Sequence, residues 1–205
     1  MSYDKHFSEK LNLFFFVTPK CGFSSFRQFC TENPSLEFNR SNLKKLKRLR
    51  DDITNFFVIV RDPFARAVSS WLFVSSIEQE KYKSMFEGYD VAQLNERGFN
   101  IFLKQIQKHK NKHWRPQYQS FLEEKTFKKI RLENIEEEMK TIFGKEFIFP
   151  HENKTPVANE AKKDYLAFYD DENIALVKNI FRQDILWLKE CYEKNYSDDK
   201  WFGEI

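Results

Sequence analysis

Short apolar segments alternate with longer amphipathic segments along the chain. The strand-like segments are Leu11–Thr18, Asn55–Val60 and Phe127–Leu132. The first two are apolar on both faces, as is typical of a parallel sheet covered by helices. Helical periodicity and helix start signals predict Ser24–Thr31, Ser41–Asp51, Pro63–Ile77, Phe99–His109, Asn134–Phe143 and Ile174–Tyr192. This alternation predicts an α/β fold with a P-loop-like parallel β-sheet flanked by helices.

Length and composition indicate one soluble globular domain. The 205 residues are 41% hydrophobic and 32% charged, and we expect a single domain over residues 1–205 with a helical part at about 160–205. The net charge of +3 does not require a nucleic-acid partner. The apolar run near the N-terminus is too short to span a membrane. The three cysteines have no zinc-binding spacing, so we expect no metal and a reducing, cytoplasmic location.

The loop after the first strand, in "VTPKCGFSSF", combines features of an anion-binding site. Gly22 allows close main-chain approach, and Ser24 and Ser25 add hydroxyl groups at a predicted helix N-terminus. Lys20 adds a positive charge but precedes the glycine, whereas the lysine of a Walker motif follows it. The loop therefore predicts phosphate binding without nucleoside-triphosphate hydrolysis. The alternative is an ordinary strand-to-helix turn with a solvent-exposed lysine.

The same stretch also fits a cysteine-dependent phosphatase. Cys21 and Arg27 have the C-x5-R spacing, in which a thiolate attacks phosphorus and the arginine binds the phosphoryl oxygens. However, no histidine directly precedes Cys21, and Gln28 stands where a serine or threonine usually assists. The phosphatase therefore remains an alternative hypothesis.

A second strand, loop and helix follow in "VIVRDPFARAVSSW". Arg61 ends the strand, and its planar guanidinium suits a bidentate contact with phosphate. Ser69 lies eight residues later, on the predicted helix. An arginine before Asp-Pro is often only a structural ion-pair partner. Two anion-binding loops at the ends of neighbouring strands, however, predict a ligand with two separated phosphates.

These motifs resemble those of sulfotransferases that use 3′-phosphoadenylyl sulfate (PAPS). "PKCGFSS" is similar to their 5′-phosphosulfate loop and "RDPFARAVSS" to their 3′-phosphate segment, closest to the carbohydrate and glycosaminoglycan enzymes; "HWRPQ", "RLENI" and "HENKT" match more weakly. The resemblance implies the sulfotransferase fold and donor-binding residues Lys20, Cys21, Gly22, Phe23, Ser24, Ser25, Arg61, Ser69 and Lys154. Cys21 and Phe23 depart from the family pattern, which has small or hydroxyl residues there. The family's Golgi members carry an N-terminal membrane anchor, and here the first strand starts too early for one, so we expect a bacterial-type, soluble member.

The resemblance also implies a mechanism of in-line sulfuryl transfer that leaves 3′,5′-adenosine bisphosphate as product. Lys20 would stabilise charge on the departing phosphate, without a metal ion. The general base that activates the acceptor hydroxyl would be His113 of the "HWRPQ" segment. Histidine packing beside Trp114 is the alternative for this residue. Other base candidates are His109, His151, Glu78 and Glu80.

Basic residues cluster in two places, "KKLKRLR" and the stretch from Lys104 to Arg115. The first would suit an anionic acceptor or a nucleic acid. Together the two favour an anionic carbohydrate or polysaccharide acceptor, although a neutral glycan and a lipid-linked sugar are also compatible. The leucine spacing of "KKLKRLR" is equally typical of an amphipathic helix with a solvated charged face. A third hypothesis is a non-catalytic module that binds phosphate or a polyanion. The acceptor, its hydroxyl position and the oligomeric state do not follow from the sequence.

Overall fold

The computed structural model describes residues 4–40, 55–75, 84–119, 127–150, 165–196 and 201–202. In chain order, its strands and α-helices are β1 (Asp4–Ser8), β2 (Leu13–Val17), α1 (Phe23–Glu32), β3 (Asn39–Arg40), β4 (Asn55–Val60), α2 (Pro63–Ser75), α3 (Glu96–Ile106), β5 (Lys128–Arg131), α4 (Ile135–Phe143), α5 (Asp171–Ile180) and α6 (Arg182–Tyr192). The described residues fall into two compact units, one within Met1–Arg61 and Gln119–Lys154, the other within Asp62–Tyr118 and Thr155–Ile205.

The first unit contains a mixed sheet. Five strands of the described chain pair in the order β3-β1-β2-β4-β5. The pairs β2–β4 and β4–β5 are parallel, whereas β1 is antiparallel to both β2 and β3. The α/β class is therefore confirmed, but the sheet is mixed rather than wholly parallel. Strand β1 escaped prediction because "DKHFS" carries charged side chains, which an apolar pattern does not identify.

An aromatic core covers one face of this sheet. Phe15 and Val17 of β2 and Phe57 of β4 belong to a buried cluster with Phe26 and Phe29 of α1. The Phe15 ring stacks on the Phe57 ring at 5.0 Å between centroids. Helix α4 adds Ile135 and Met139 to the same cluster. This packing fixes the end of β2 and the start of α1, and so positions the loop between them.

The second unit is helical in its described part. Trp71 of α2 is fully buried, and its ring packs on Phe99 of α3 and on Phe168. The helix predicted over Ile174–Tyr192 is two helices, α5 and α6, separated at Phe181. The predicted helix Ser41–Asp51 lies outside the described residues. In the part of the chain that the structure covers, no helix has both the length and the apolar character that a membrane span needs.

Candidate functional site

The loop between β2 and α1 makes a sharp turn built on two left-handed residues. Lys20 has φ 70° and Gly22 has φ 75°. The amide of Cys21 donates to the carbonyl oxygen of Thr18 at 3.2 Å. For a lysine, the left-handed conformation costs on the order of 1 kcal/mol, and such strain concentrates at functional sites. Thr18 is fully buried, and its hydroxyl has no hydrogen-bond partner among the described residues.

Glycine is favoured at position 22 for two reasons. Its positive φ favours glycine, and a Cβ atom there would lie 2.8 Å from Cδ1 of Leu132. The main chain thus passes close to Leu132 immediately before α1 begins at Phe23. The glycine identified in the sequence therefore sets the path of the loop into the helix.

The N-terminus of α1 differs from those of the other described helices. Gly22 caps the helix without a side-chain hydrogen bond, and the first turn contains no acidic residue. Among the α-helices that the structure describes, α1 is the only one with neither a side-chain cap nor an acidic residue in its first turn. Helix α2 is capped by Asp62, and the others have a side-chain cap, an acidic first turn, or both. The first N–H groups of a helix have no partner within it, and the helix dipole favours an anion there. This end of α1 is therefore suited to a phosphate or phosphosulfate group.

Arg61 joins the second predicted anion-binding segment to the first. Its Nη1 atom donates a hydrogen bond to the carbonyl oxygen of Lys20 at 3.3 Å. The parallel register pairs Val17 with Ile59, so the chain leaves β2 and β4 at the same edge of the sheet. The side chains of Lys20 and Arg61 are both partly buried. Two cationic residues from separate sequence motifs thus meet beside the N-terminus of α1.

The contacts of Cys21 and Arg27 do not favour the phosphatase alternative. Cys21 is fully buried. The Arg27 guanidinium binds the buried carboxylate of Asp4 through Nε and lies 4.3 Å over the ring of Phe23. A phosphatase of this kind needs an exposed thiolate and an arginine directed at the phosphate. Here the arginine is held by a carboxylate instead.

Asp4 is the centre of a charge cluster on β1. Burial alone would raise its pKa, but hydrogen bonds from His6, Arg27 and Arg40, together with the Arg27 charge, hold the pKa of Asp4 well below its usual range. The carboxylate therefore stays ionised at neutral pH. Strand β1 can carry it in the sheet because its charge is paired from α1 and β3.

Asp62 fixes the start of α2, the helix that carries Ser69. Its Oδ1 atom accepts hydrogen bonds from the amides of Phe64 at 2.8 Å and Ala65 at 3.4 Å. Its Oδ2 atom accepts from the hydroxyls of Tyr165 and Tyr196. Burial and the negative charge of Asp62 raise the pKa of Tyr196 well above its usual range. Tyr196 therefore remains a neutral donor, and Ser69 lies buried on a helix whose start is capped by Asp62.

His113, the predicted base, lies on a segment packed against α2. Its ring stacks on Phe73 with 4.3 Å between centroids, and its carbonyl oxygen accepts from the Ser70 hydroxyl at 2.8 Å. The neighbouring Trp114 is buried, and its indole N–H donates to the carbonyl oxygen of His109 at 2.6 Å. His113 is partly buried as a residue, and its Nδ1 atom is buried. The His113 ring thus packs against α2, as the alternative for this residue expected, and its role as a base stays a prediction.

Several predicted residues fall outside the described ranges: Lys154, His151, Glu78 and Glu80.

Two buried residues that sequence reasoning gave no role in the site, Arg66 and Asp184, contact the His113 segment. Within the described residues, no group of three or more His, Cys, Asp and Glu side chains is placed to hold a metal ion.

Comparison with known proteins gives one finding. The model of the sulfotransferase family matches residues 5–198, which is nearly the whole chain. The matched range includes the loop between β2 and α1, Arg61, Ser69 and His113. No curated protein and no solved structure matches the chain.

Proposed function

Because the chain belongs to the sulfotransferase family, we propose that it transfers a sulfuryl group from PAPS to a hydroxyl group of a carbohydrate. The main support is the hydrogen bond from Arg61 to the carbonyl oxygen of Lys20. It links the two segments that resemble the 5′-phosphosulfate and 3′-phosphate loops. A donor with two phosphate groups is therefore a better match than a mononucleotide.

The proposed donor contacts follow the chemistry of each residue. The first amides of α1 and the hydroxyls of Ser24 and Ser25 would bind the 5′-phosphosulfate. Arg61 would bind the 3′-phosphate, since guanidinium suits bidentate phosphate contacts, with Ser69 as a further donor. Lys154 is assigned to the donor by resemblance alone. The start of α1, which has no side-chain cap and no acidic residue in its first turn, is the local feature that best supports these assignments.

Transfer requires one bond to form while another breaks. The acceptor oxygen bonds to sulfur, and the bond from sulfur to the bridging oxygen of the phosphosulfate breaks, which leaves 3′,5′-adenosine bisphosphate. Lys20 would stabilise the negative charge on the departing phosphate. His113 would take the proton of the acceptor hydroxyl, since an imidazole accepts protons near neutral pH.

The proposed acceptor is an anionic saccharide. Lys108, Lys110 and Lys112 are exposed and precede His113 in the chain, where they would attract carboxylate or sulfate groups. Lys104 contributes less, because its ammonium group pairs with Glu172 at 2.8 Å. This charge argument concerns attraction and does not select one sugar.

Thermal unfolding with and without nucleotide tests the donor. A ligand at 100 times its Kd stabilises the native state by about 2.7 kcal/mol. Adenosine 3′,5′-bisphosphate should raise the melting temperature more than AMP or ATP at equal concentration. An equal shift with AMP would contradict the two-phosphate proposal. A bisphosphate-specific shift without sulfuryl transfer to any glycan would indicate a non-catalytic binding module.

A further inference from the structure

The segment from His113 to Tyr118 is bound mainly through its main chain. Arg66 Nη2 donates to the carbonyl oxygen of Arg115 at 2.6 Å. The amides of Gln117 and Tyr118 each donate to the Asp184 carboxylate at 2.8 Å, one to each oxygen. Because these contacts involve main-chain groups, they fix the path of the backbone independently of the side chains of the segment.

Arg66 and Asp184 also contact each other. Their closest nitrogen and oxygen atoms are 3.9 Å apart, and both side chains are fully buried. Burial raises the pKa of Asp184, whereas the Arg66 charge and the amides of Gln117 and Tyr118 oppose that rise. Burying two charges is costly unless each is well hydrogen-bonded. Here the segment's own peptide groups supply those hydrogen bonds, so pair and segment stabilise each other.

One face of α2 is devoted to this segment. Arg66, Ser70 and Phe73 are spaced by four and three residues, which places them on the same side of the helix. Ser70 donates to the carbonyl oxygen of His113, and Phe73 stacks on its ring. The anchoring therefore reaches the imidazole itself.

We propose that Arg66 and Asp184 are positioning residues that hold the His113 segment, and through it the imidazole, in the orientation needed to accept the proton of the acceptor hydroxyl. This inference rests on the proposed function, in which His113 is the base. Neither residue needs to touch a substrate. A displacement of about 1 Å at a reacting group lowers turnover by about 100-fold. Loss of either anchor should therefore lower kcat far more than it weakens donor binding.

The test is NMR of the histidine rings in the full chain, with kinetics alongside. The four histidines are His6, His109, His113 and His151, and His113→Gln identifies the His113 signal by its loss. Asp184→Asn should shift the His113 ring signals, because it disturbs the segment that carries the ring. The His6 signals should stay unchanged. Lys104→Ala, which breaks an exposed ion pair of the same unit, should leave the His113 signals unchanged.

Arg66→Lys provides a second variant, which keeps the positive charge but lacks the guanidinium that bonds to the Arg115 carbonyl oxygen, and it decides the matter if Asp184→Asn does not fold. In either variant, kcat should fall about tenfold or more while the Kd for adenosine 3′,5′-bisphosphate stays within about twofold. Wild-type His113 signals in both variants would overturn the inference, whatever the activity. Because the NMR readout needs no turnover, a protein that transfers no sulfuryl group would refute the proposed function separately.

Discussion

Arg61 and Lys20 are joined by a hydrogen bond from the guanidinium of the first to the main-chain carbonyl of the second, at 3.3 Å. They come from loops that follow neighbouring parallel strands, 41 residues apart in sequence. The bond supports the left-handed turn at Lys20 and keeps the arginine beside the start of α1. The geometry of one predicted anion-binding loop thus depends on the other.

Arg61→Lys should weaken binding of adenosine 3′,5′-bisphosphate. Lysine keeps the charge, but it lacks the fork that contacts Lys20 and a phosphate together. We expect a loss of about 1.5–3 kcal/mol, or roughly 10- to 150-fold in Kd, measured by isothermal titration calorimetry. Arg97→Lys, at an exposed position, is the matched control and should bind normally. Equal affinity of the Arg61 variant and the wild type would exclude Arg61 from the donor site.

Gly22→Ala should destabilise the protein more than the same change at Gly88. Both glycines have positive φ, 75° and 80°, so both substitutions introduce backbone strain of about 1 kcal/mol. Only at Gly22 would the new Cβ atom meet a neighbour, Leu132, at 2.8 Å; at Gly88 nothing lies within 4 Å. Urea unfolding should therefore show an additional loss of about 1–3 kcal/mol at Gly22. Equal losses at the two sites would show that the loop adapts without strain.

The Asp4 cluster should make stability fall in acid. The pKa of Asp4 is depressed in the folded state, whereas an unfolded aspartate has a pKa of about 3.9. Its ionised form therefore stabilises the fold above that value, and this contribution declines as pH falls further. We expect Asp4→Asn to be less stable than the wild type at pH 7 and to lose less stability between about pH 5 and 2. Parallel pH profiles of urea unfolding would contradict the assignment.

Apolar patterns predicted the centre of the sheet well. Strand β4 was predicted with its observed bounds, and Pro63 was correctly placed at the start of α2. Strand β1 was missed because its charge is neutralised by Arg27 and Arg40, which lie 23 and 36 residues further along the chain. No local pattern carries such information.

The candidate site likewise combines local features, which the sequence predicted, with contacts between distant residues, which it did not. Gly22 and the acid-free start of α1 are local features, and the sequence predicted that loop. The contacts that hold the His113 segment are not local, since the Asp184 carboxylate accepts a hydrogen bond from the amide of Gln117, 67 positions earlier. Helical periodicity predicted one helix over Ile174–Tyr192, and it gave no partner for the buried aspartate in it. Long-range pairing of buried charges requires the folded chain.

The most direct measurement is transfer of radiolabelled sulfate from PAPS to a panel of glycans by four proteins: the wild type, Lys20→Ala, Lys145→Ala and Cys21→Ser. Lys145 is exposed and serves as the matched lysine control. We predict transfer by the wild type, by Lys145→Ala and by Cys21→Ser. Lys20→Ala should be slower by about 100-fold or more, because it loses the charge that stabilises the departing phosphate. Transfer by Lys20→Ala at the wild-type rate, or no transfer to any glycan by the wild type, would contradict the account.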